Sequence, residues 1–387
     1  MDISIFFEPA NLGEITFQAN TIGEKVVRYS EKGNFPELEG VDIVIIGVND
    51  DRKAVHNKGC AEAPDFVRKK LYQLYRGDGA YRITDLGNIQ KGNTIEDTYF
   101  ALTSVIGFLA KKKIVTIIIG GSQDLTYANY CAYRDMEQMV NIVAVDCAFD
   151  MGEMDSPVDS RTYLSKIILH QPNFLFNFSN IGYQTYFVEQ KGISLMEKMF
   201  FDSYRLGDVK KDMEEVEPVV RNADILSFDI SSIRHSDAPG NKNASPNGFF
   251  GDEACRIARY AGLSDKLTSF GIYEINPSVD INGQTSFLAA EMIWYFINGF
   301  YSRKKDYPIG DKSSYTKYRV SIKEGKYELV FYKSDKSGRW WMEVPYPASK
   351  KSKYERHSMV PCSYNDYKTA CSEEMPDRWW QAFQKLG

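Results

Sequence analysis

The chain has 387 residues, 43% of them hydrophobic, ample for one large α/β domain or for a domain with an appendage. The formal net charge is −5 and the Lys and Arg residues are dispersed, so there is no basic footprint for nucleic acid. The longest apolar runs are strand-sized, far below the roughly 20 residues that cross a bilayer, so no membrane insertion is expected.

In chain order, the opening "MDISIFFEPANLGEI" lacks the basic start and long apolar core of a signal peptide. Eight short β-rich runs follow, at 41–48, 81–88, 113–121, 141–146, 173–182, 198–206, 223–231 and 267–277. Most are continuously apolar rather than alternating, the mark of strands covered on both faces. Helical patterns lie between them. Residues 63–77 carry Val67, Leu71 and Leu74 on one face, with Pro64 near the start. Residues 94–113 open on Thr94 as N-cap and close on lysines that suit the helix dipole. Two more helices are predicted over 251–263 and 284–305. This alternation predicts a doubly wound, mostly parallel sheet, whose sites sit beyond the carboxyl ends of the strands.

Near residue 306 the texture changes to alternating strands joined by turns at "EG" and "KSG". Residues 1–305 are therefore expected to form the α/β domain, and 306–387 a small β-rich, aromatic-rich extension packed on it. The paired tryptophans Trp340, Trp341, Trp379 and Trp380 read either as the core of that extension or as an aromatic surface for a protein partner. The six cysteines are scattered and form no C-x-x-C pair, which reads as reduced thiols in a cytoplasmic protein.

Chemistry-bearing residues collect at the predicted strand ends. Gln123 and Asp124 follow the Gly-Gly turn of "IIIGGSQDLTYA". "VDCAFD" sets Asp146, Ala148 and Asp150 two apart, on one face if the strand continues, with Cys147 on the other. "SFDISS" supplies Asp229 and Ser231, and "YEINPSVD" supplies Glu274. Clustered carboxylates are costly to bury without a cation, so Asp146, Asp150 and Asp229 either hold a metal, are solvated or sit in a polar network.

These segments, together with "GCAEAPDFVRKKL" and "DLGNI", resemble in order the motifs of the ureohydrolases: arginases, agmatinases and formiminoglutamases. The resemblance runs from about residue 40 to about 300 and implies a three-layer α/β/α sandwich around an eight-stranded parallel sheet. It also implies a pair of Mn²⁺ ions held at the positions of Gln123, Asp146, Ala148, Asp150, Asp229 and Ser231. Both family histidines are replaced, by Gln123 and Ala148, and one aspartate is replaced by Ser231. The first site, at Gln123, Asp146, Asp150 and Asp229, is left able to hold one Mn, Mg or Ca ion weakly. The second, at Asp146, Ala148, Asp229 and Ser231, is expected to be empty, unless His235 or Asp124 substitutes for a lost ligand.

Glu274 matches the family's partner for the substrate's cationic end. Ser160 and Thr162 match its substrate loop, where Arg161 either binds a carboxylate or blocks the pocket. The expectation is a protein that has lost dinuclear manganese hydrolase activity, takes no cofactor and serves as a binding or scaffold protein, with its partner on the extension. The alternative is a metal-dependent hydrolase of a formimino- or guanidino-amino acid, formiminoglutamase-like, with a single-metal or rearranged site. The family resemblance also implies a homo-oligomer.

Overall fold

The computed structural model of the protein describes residues 1–13, 15–30, 33–77, 79–153, 156–309 and 312–387. In chain order the strands are β1 (Phe7–Glu8), β2 (Val27–Arg28), β3 (Ile43–Val48), β4 (Ile83–Ile89), β5 (Val115–Ile119), β6 (Val140–Val145) and β7 (Leu175–Tyr183). They continue with β8 (Asp202–Arg205), β9 (Ile225–Asp229), β10 (Ser269–Tyr273), β11 (Tyr315–Ile322), β12 (Tyr327–Ser334), β13 (Trp340–Glu343) and β14 (Met359–Cys362).

All eight expected strands, β3 to β10, are present and lie in one parallel sheet in the order β4-β3-β5-β10-β9-β6-β7-β8. Two further strands of two residues each extend it to ten: β1 pairs β4 antiparallel and β2 pairs β4 in parallel. Neither is long enough to leave a pattern in the sequence.

Every residue of β3, β5, β6, β9 and β10 is buried, as their unbroken apolar runs predict. Helices Ala63–Leu71, Gly251–Leu263 and Gln284–Tyr301 close one face. Helices Ile95–Lys111, Leu125–Asp135 and Tyr163–Leu169 close the other, completing three layers. Thr94 caps its helix as expected: its Oγ1 accepts from the Asp97 N–H at 3.2 Å and the Asp97 carboxylate accepts from the Thr94 N–H at 2.8 Å. The helix with Pro64 in its first turn ends at Leu71, short of the expected Gly77.

Strands β11 to β14 form a separate antiparallel sheet, backed by helices Tyr364–Cys371 and Asp377–Leu386. This sheet is anchored at the amino ends of the large sheet's strands. Arg356 reaches Asp224, just before β9, at 2.5 Å, and the Met139 carbonyl, just before β6, at 2.7 Å. Arg221 donates to the carbonyls of Trp340 and Cys362 and stacks its guanidinium 4.3 Å from the Trp341 ring.

A partner surface built from the tryptophan pairs is corrected by this packing. Trp340, Trp341 and Trp379 are buried, and only Trp380 is exposed. Trp340 packs on Tyr318 and Tyr367, and Trp379 stacks on Phe383 at 4.9 Å and donates its indole N–H to the Glu343 carbonyl. So small a sheet has little aliphatic core, and large rings supply its buried apolar area.

Candidate active site

The strand order builds the site. The chain places β5 and then leaves for β6, β7 and β8, and the last two strands, β9 and β10, fill the gap between β5 and β6. The carboxyl ends of β5, β10, β9 and β6 thus stand side by side at the topological switch point. The parallel register pairs Asp229 with Tyr273 and Phe228 with Val145. It therefore brings Gln123, Glu274, Asp229 and Asp146 to one level, from four distant parts of the chain. Close approach at the Gly-Gly turn is required there: a Cβ on Gly121 would stand 1.9 Å from the Asp50 carbonyl oxygen.

The acids do not meet by strand alternation. Strand β6 stops at Val145, the chain bends, and Asp150 takes a left-handed φ of 50°. Asp146 and Asp150 come together by this bend. For the same reason Cys147 is not turned to the far face; its Sγ lies 3.7 Å from the Ser231 hydroxyl. Backbone amides hold two of the carboxylates: the Ala148 N–H donates to Asp146 at 2.9 Å and the Ser231 N–H to Asp229 at 2.7 Å.

Gln123 is wholly buried, and its Nε2 donates to the Tyr163 and Ser227 hydroxyls, each at 3.3 Å. That commits the amide nitrogen to the two hydroxyls. Gln123 and Asp150 both lie within reach of Asp146. The Oε1 of Gln123 and the Oδ2 atoms of Asp146 and Asp150 are buried without a hydrogen-bond partner. Burial raises the pKa of Asp146. Burial first, and then the neighbouring Asp146 charge, hold both Asp150 and Asp229 well above the usual carboxylate range.

Two carboxylates and an amide oxygen are by chemistry a donor set for one hard cation. Among the described residues, no three His, Cys, Asp or Glu side chains form a metal cluster by themselves. A second ion finds less: Ala148 has no donor atom, and the Ser231 hydroxyl faces Cys147.

The suggested substitutes do not reach the site. His235 is exposed, with its N–H on the Ser245 carbonyl. Asp124 is engaged elsewhere: the Tyr99 hydroxyl donates to it at 2.5 Å, and so does the Ser122 hydroxyl. Glu274 is not open to a ligand. Its carboxylate accepts from Asn57 Nδ2 at 2.8 Å and from the Gln123 N–H at 3.0 Å, and burial raises its pKa to about 7. The hydroxyls of Ser160 and Thr162 are both engaged: Ser160 accepts from the Val55 N–H and ties the loop to a distant segment, and Thr162 bonds the Pro157 carbonyl and the Asp159 N–H within its own loop. Arg161 is exposed, with its charge close enough to favour ionisation of Asp146 and Asp150.

The sequence reading missed Asn57, Tyr163 and Ser227. Ser227 opens "SFDISS", Tyr163 follows Thr162 directly and Asn57 lies just before "GCAEAPDFVRKKL", but nothing in their spacing marks them as partners of Glu274 or Gln123.

The Arginase family profile matches residues 41–298. A formimidoylglutamase of Staphylococcus haemolyticus is 25% identical over 298 residues, covering 70% of this chain and 93% of that protein. One of Streptococcus gordonii is 24% identical over 287 residues, covering 68% and 85%. Among solved structures, the Trypanosoma cruzi formiminoglutamase with Mn2+2 superposes with a TM-score of 0.63 at 24% identity, covering 68% of this chain and 95% of that one. The Bacillus subtilis formimidoylglutamase gives 0.66 at 17% identity, covering 76% and 96%. The expectation that this protein takes no cofactor is corrected by a relative of the same fold, the T. cruzi formiminoglutamase, which carries Mn2+2. With its profile matched over well over half the chain, this protein belongs to the arginase family.

Proposed function

We propose that the protein is a metal-dependent C–N hydrolase of a linear amidine, a formimino- or guanidino-amino acid, of the formimidoylglutamase type and with a single-cation or rearranged centre. The observation that carries this reading is the trio of buried, unpartnered oxygens on Gln123, Asp146 and Asp150 at the switch point of the sheet. Carboxylates buried without a cation are costly, and a hard divalent ion removes that cost. The formimidoylglutamase relatives, matched over most of their own length, support the reaction class. They favour a hydrolase over a non-catalytic binding protein.

A bound divalent cation supplies Lewis-acid polarisation and acidifies water toward neutral pH. The chain's own residues do the rest. Gln123, Asp146 and Asp150 hold the ion, and Tyr163 and Ser227 keep the Gln123 oxygen turned toward it. Glu274 is a positioning residue: it grips the Gln123 backbone and, through Asn57, the loop that precedes helix Ala63–Leu71. Arg161 at the mouth presents positive charge to the carboxylate of an amino-acid substrate.

The test is metal content per chain after dialysis against Mn²⁺, paired with release of glutamate from N-formimino-L-glutamate. The expected result is one ion per chain and turnover lost in Asp146→Asn. Two ions would sink the single-cation form and leave a rearranged dinuclear centre. No metal and no turnover would return the protein to a binding or scaffold role.

A further inference from the structure

Where the extension meets the amino ends of the strands, the seam encloses a pocket at the opposite end of the sheet from the acids. Its cavity volume is about 40 Å³, and its polar lining includes Asn177, Ser179, Asp202, His357, Arg378 and Lys385. Two of these groups are donors without an adequate acceptor.

His357 is 3% exposed, stacks on Phe176 with ring centroids 4.0 Å apart, and has no hydrogen-bond partner on either ring nitrogen. The nearby Met139 carbonyl accepts from Arg356 at 2.7 Å and is shared with that cation. Lys385, in the last turn of helix Asp377–Leu386, donates to the Asn177 carbonyl oxygen and lies 5.5 Å from the Phe201 ring centroid. It makes no ion pair within 4 Å among the described residues; burial lowers its pKa to about 8, against the Asp202 charge, so it is mostly an ammonium at neutral pH.

The surrounding charges set the class of ligand. Lys266, Arg356 and Lys385 all face His357, so the field at the ring is positive, and with burial as the larger cause it keeps the imidazole neutral, with one N–H to give. Asp224 answers Arg356 at 2.5 Å and Lys266 at 3.8 Å. Arg378 is closed by Asp366 at 2.6 Å and Glu215 at 2.9 Å. Asp202 in the wall is held by Asn177 at 2.7 Å and Ser179 at 2.8 Å. That leaves one ammonium and one imidazole N–H, which two oxygens on one carbon satisfy together. The Asp202 charge disfavours a dianion.

We propose that this seam binds a small monocarboxylate, with Lys385 and His357 donating to its two oxygens. Nothing in this proposal depends on the hydrolase reading, because no residue is shared between the two sites.

The chain has four histidines, so the ring resonances of His357 can be followed by NMR and assigned with His357→Phe, which keeps the stacking. Acetate, inorganic phosphate and chloride are titrated into the full chain at constant ionic strength. The expected result is a saturable shift of His357 with acetate, a weaker one with phosphate and none with chloride. Lys385→Gln keeps the bond to Asn177 but drops the charge, and weakens acetate binding by at least ~10-fold, the loss expected for a charged hydrogen bond. An unmoved His357, a shift as strong with chloride or phosphate as with acetate, or unchanged affinity in Lys385→Gln overturns the proposal. If Lys385→Gln fails to fold, the wild-type titration decides alone.

Discussion

Asp85 and Asp150 are both buried carboxylates of the same large sheet, and they have opposite surroundings. Asp85, in β4, is gripped by Arg68 at 2.7 and 3.0 Å, by the Gly87 N–H at 2.8 Å and by the Tyr72 hydroxyl. Asp150 keeps one oxygen unpartnered and stands beside Asp146 and Asp229. A buried acid locked to its own cation is part of the scaffold, and breaking the pair leaves an uncompensated charge. A buried acid without a cation in the chain is costly unless something from outside supplies one, which is the physical signature of a site. The comparison also explains Arg68 in the motif "GCAEAPDFVRKKL": it is a structural residue, holding Asp85, Asn88 and the Gly87 carbonyl from helix Ala63–Leu71.

The largest expected effect breaks the compensated pair. Arg68→Ala strands Asp85 in the core and should destabilise the fold by roughly 3–5 kcal/mol, read by denaturant unfolding. A loss under 1 kcal/mol would mean that water reaches Asp85 and that the contrast with Asp150 is false.

The next effect is on the other side of the comparison. Mn²⁺ at a hundred times its dissociation constant should stabilise the wild type by about 2.7 kcal/mol and leave Asp146→Asn unmoved. Equal stabilisation of both proteins would place the ion elsewhere.

The third effect depends on pH. A group whose native pKa is raised contributes stability that is present at low pH and lost as pH rises through the native value. Asp150 is raised well above the ordinary carboxylate range, so metal-free Asp150→Asn should match the wild type below about pH 4, where an unfolded Asp is protonated, and exceed it in stability near pH 8, by at least about 1–2 kcal/mol. A variant less stable than wild type at both pH values would show that Asp150, like Asp85, is already compensated.

The smallest effect concerns Arg161, whose exposed guanidinium acts through water. Arg161→Gln should weaken Mn²⁺-dependent stabilisation or substrate affinity by less than about fivefold. A complete loss of either would make it a direct ligand of the substrate.

Much of this architecture was legible in the sequence, because strands covered on both faces and amphipathic helices leave local patterns. The eight strands, the Thr94 N-cap and the change of texture near residue 306 are local features of this kind. The site was half legible. Asp146, Asp150, Asp229 and Gln123 could be placed at strand ends, but the reason given for Asp146 and Asp150 was alternation, and the structure uses a bend after Val145. The surroundings were not legible. Burial of Trp340, Trp341 and Trp379, and the use of Ser160 to hold the distant Val55 N–H, depend on neighbours that the linear chain does not name.

By itself, then, the sequence determined which residues arrive at the carboxyl ends of the strands and in what order, because short-range periodicity specifies strands and the motifs follow them directly. Only the tertiary structure decided which oxygens there are left without partners. Those partners come from far along the chain: Asn57 reaches Glu274 across 217 positions, and Ser227 reaches Gln123 across 104. Whether a buried polar atom is satisfied depends on such long-range packing, and satisfaction separates a structural acid such as Asp85 from Asp146 and Asp150.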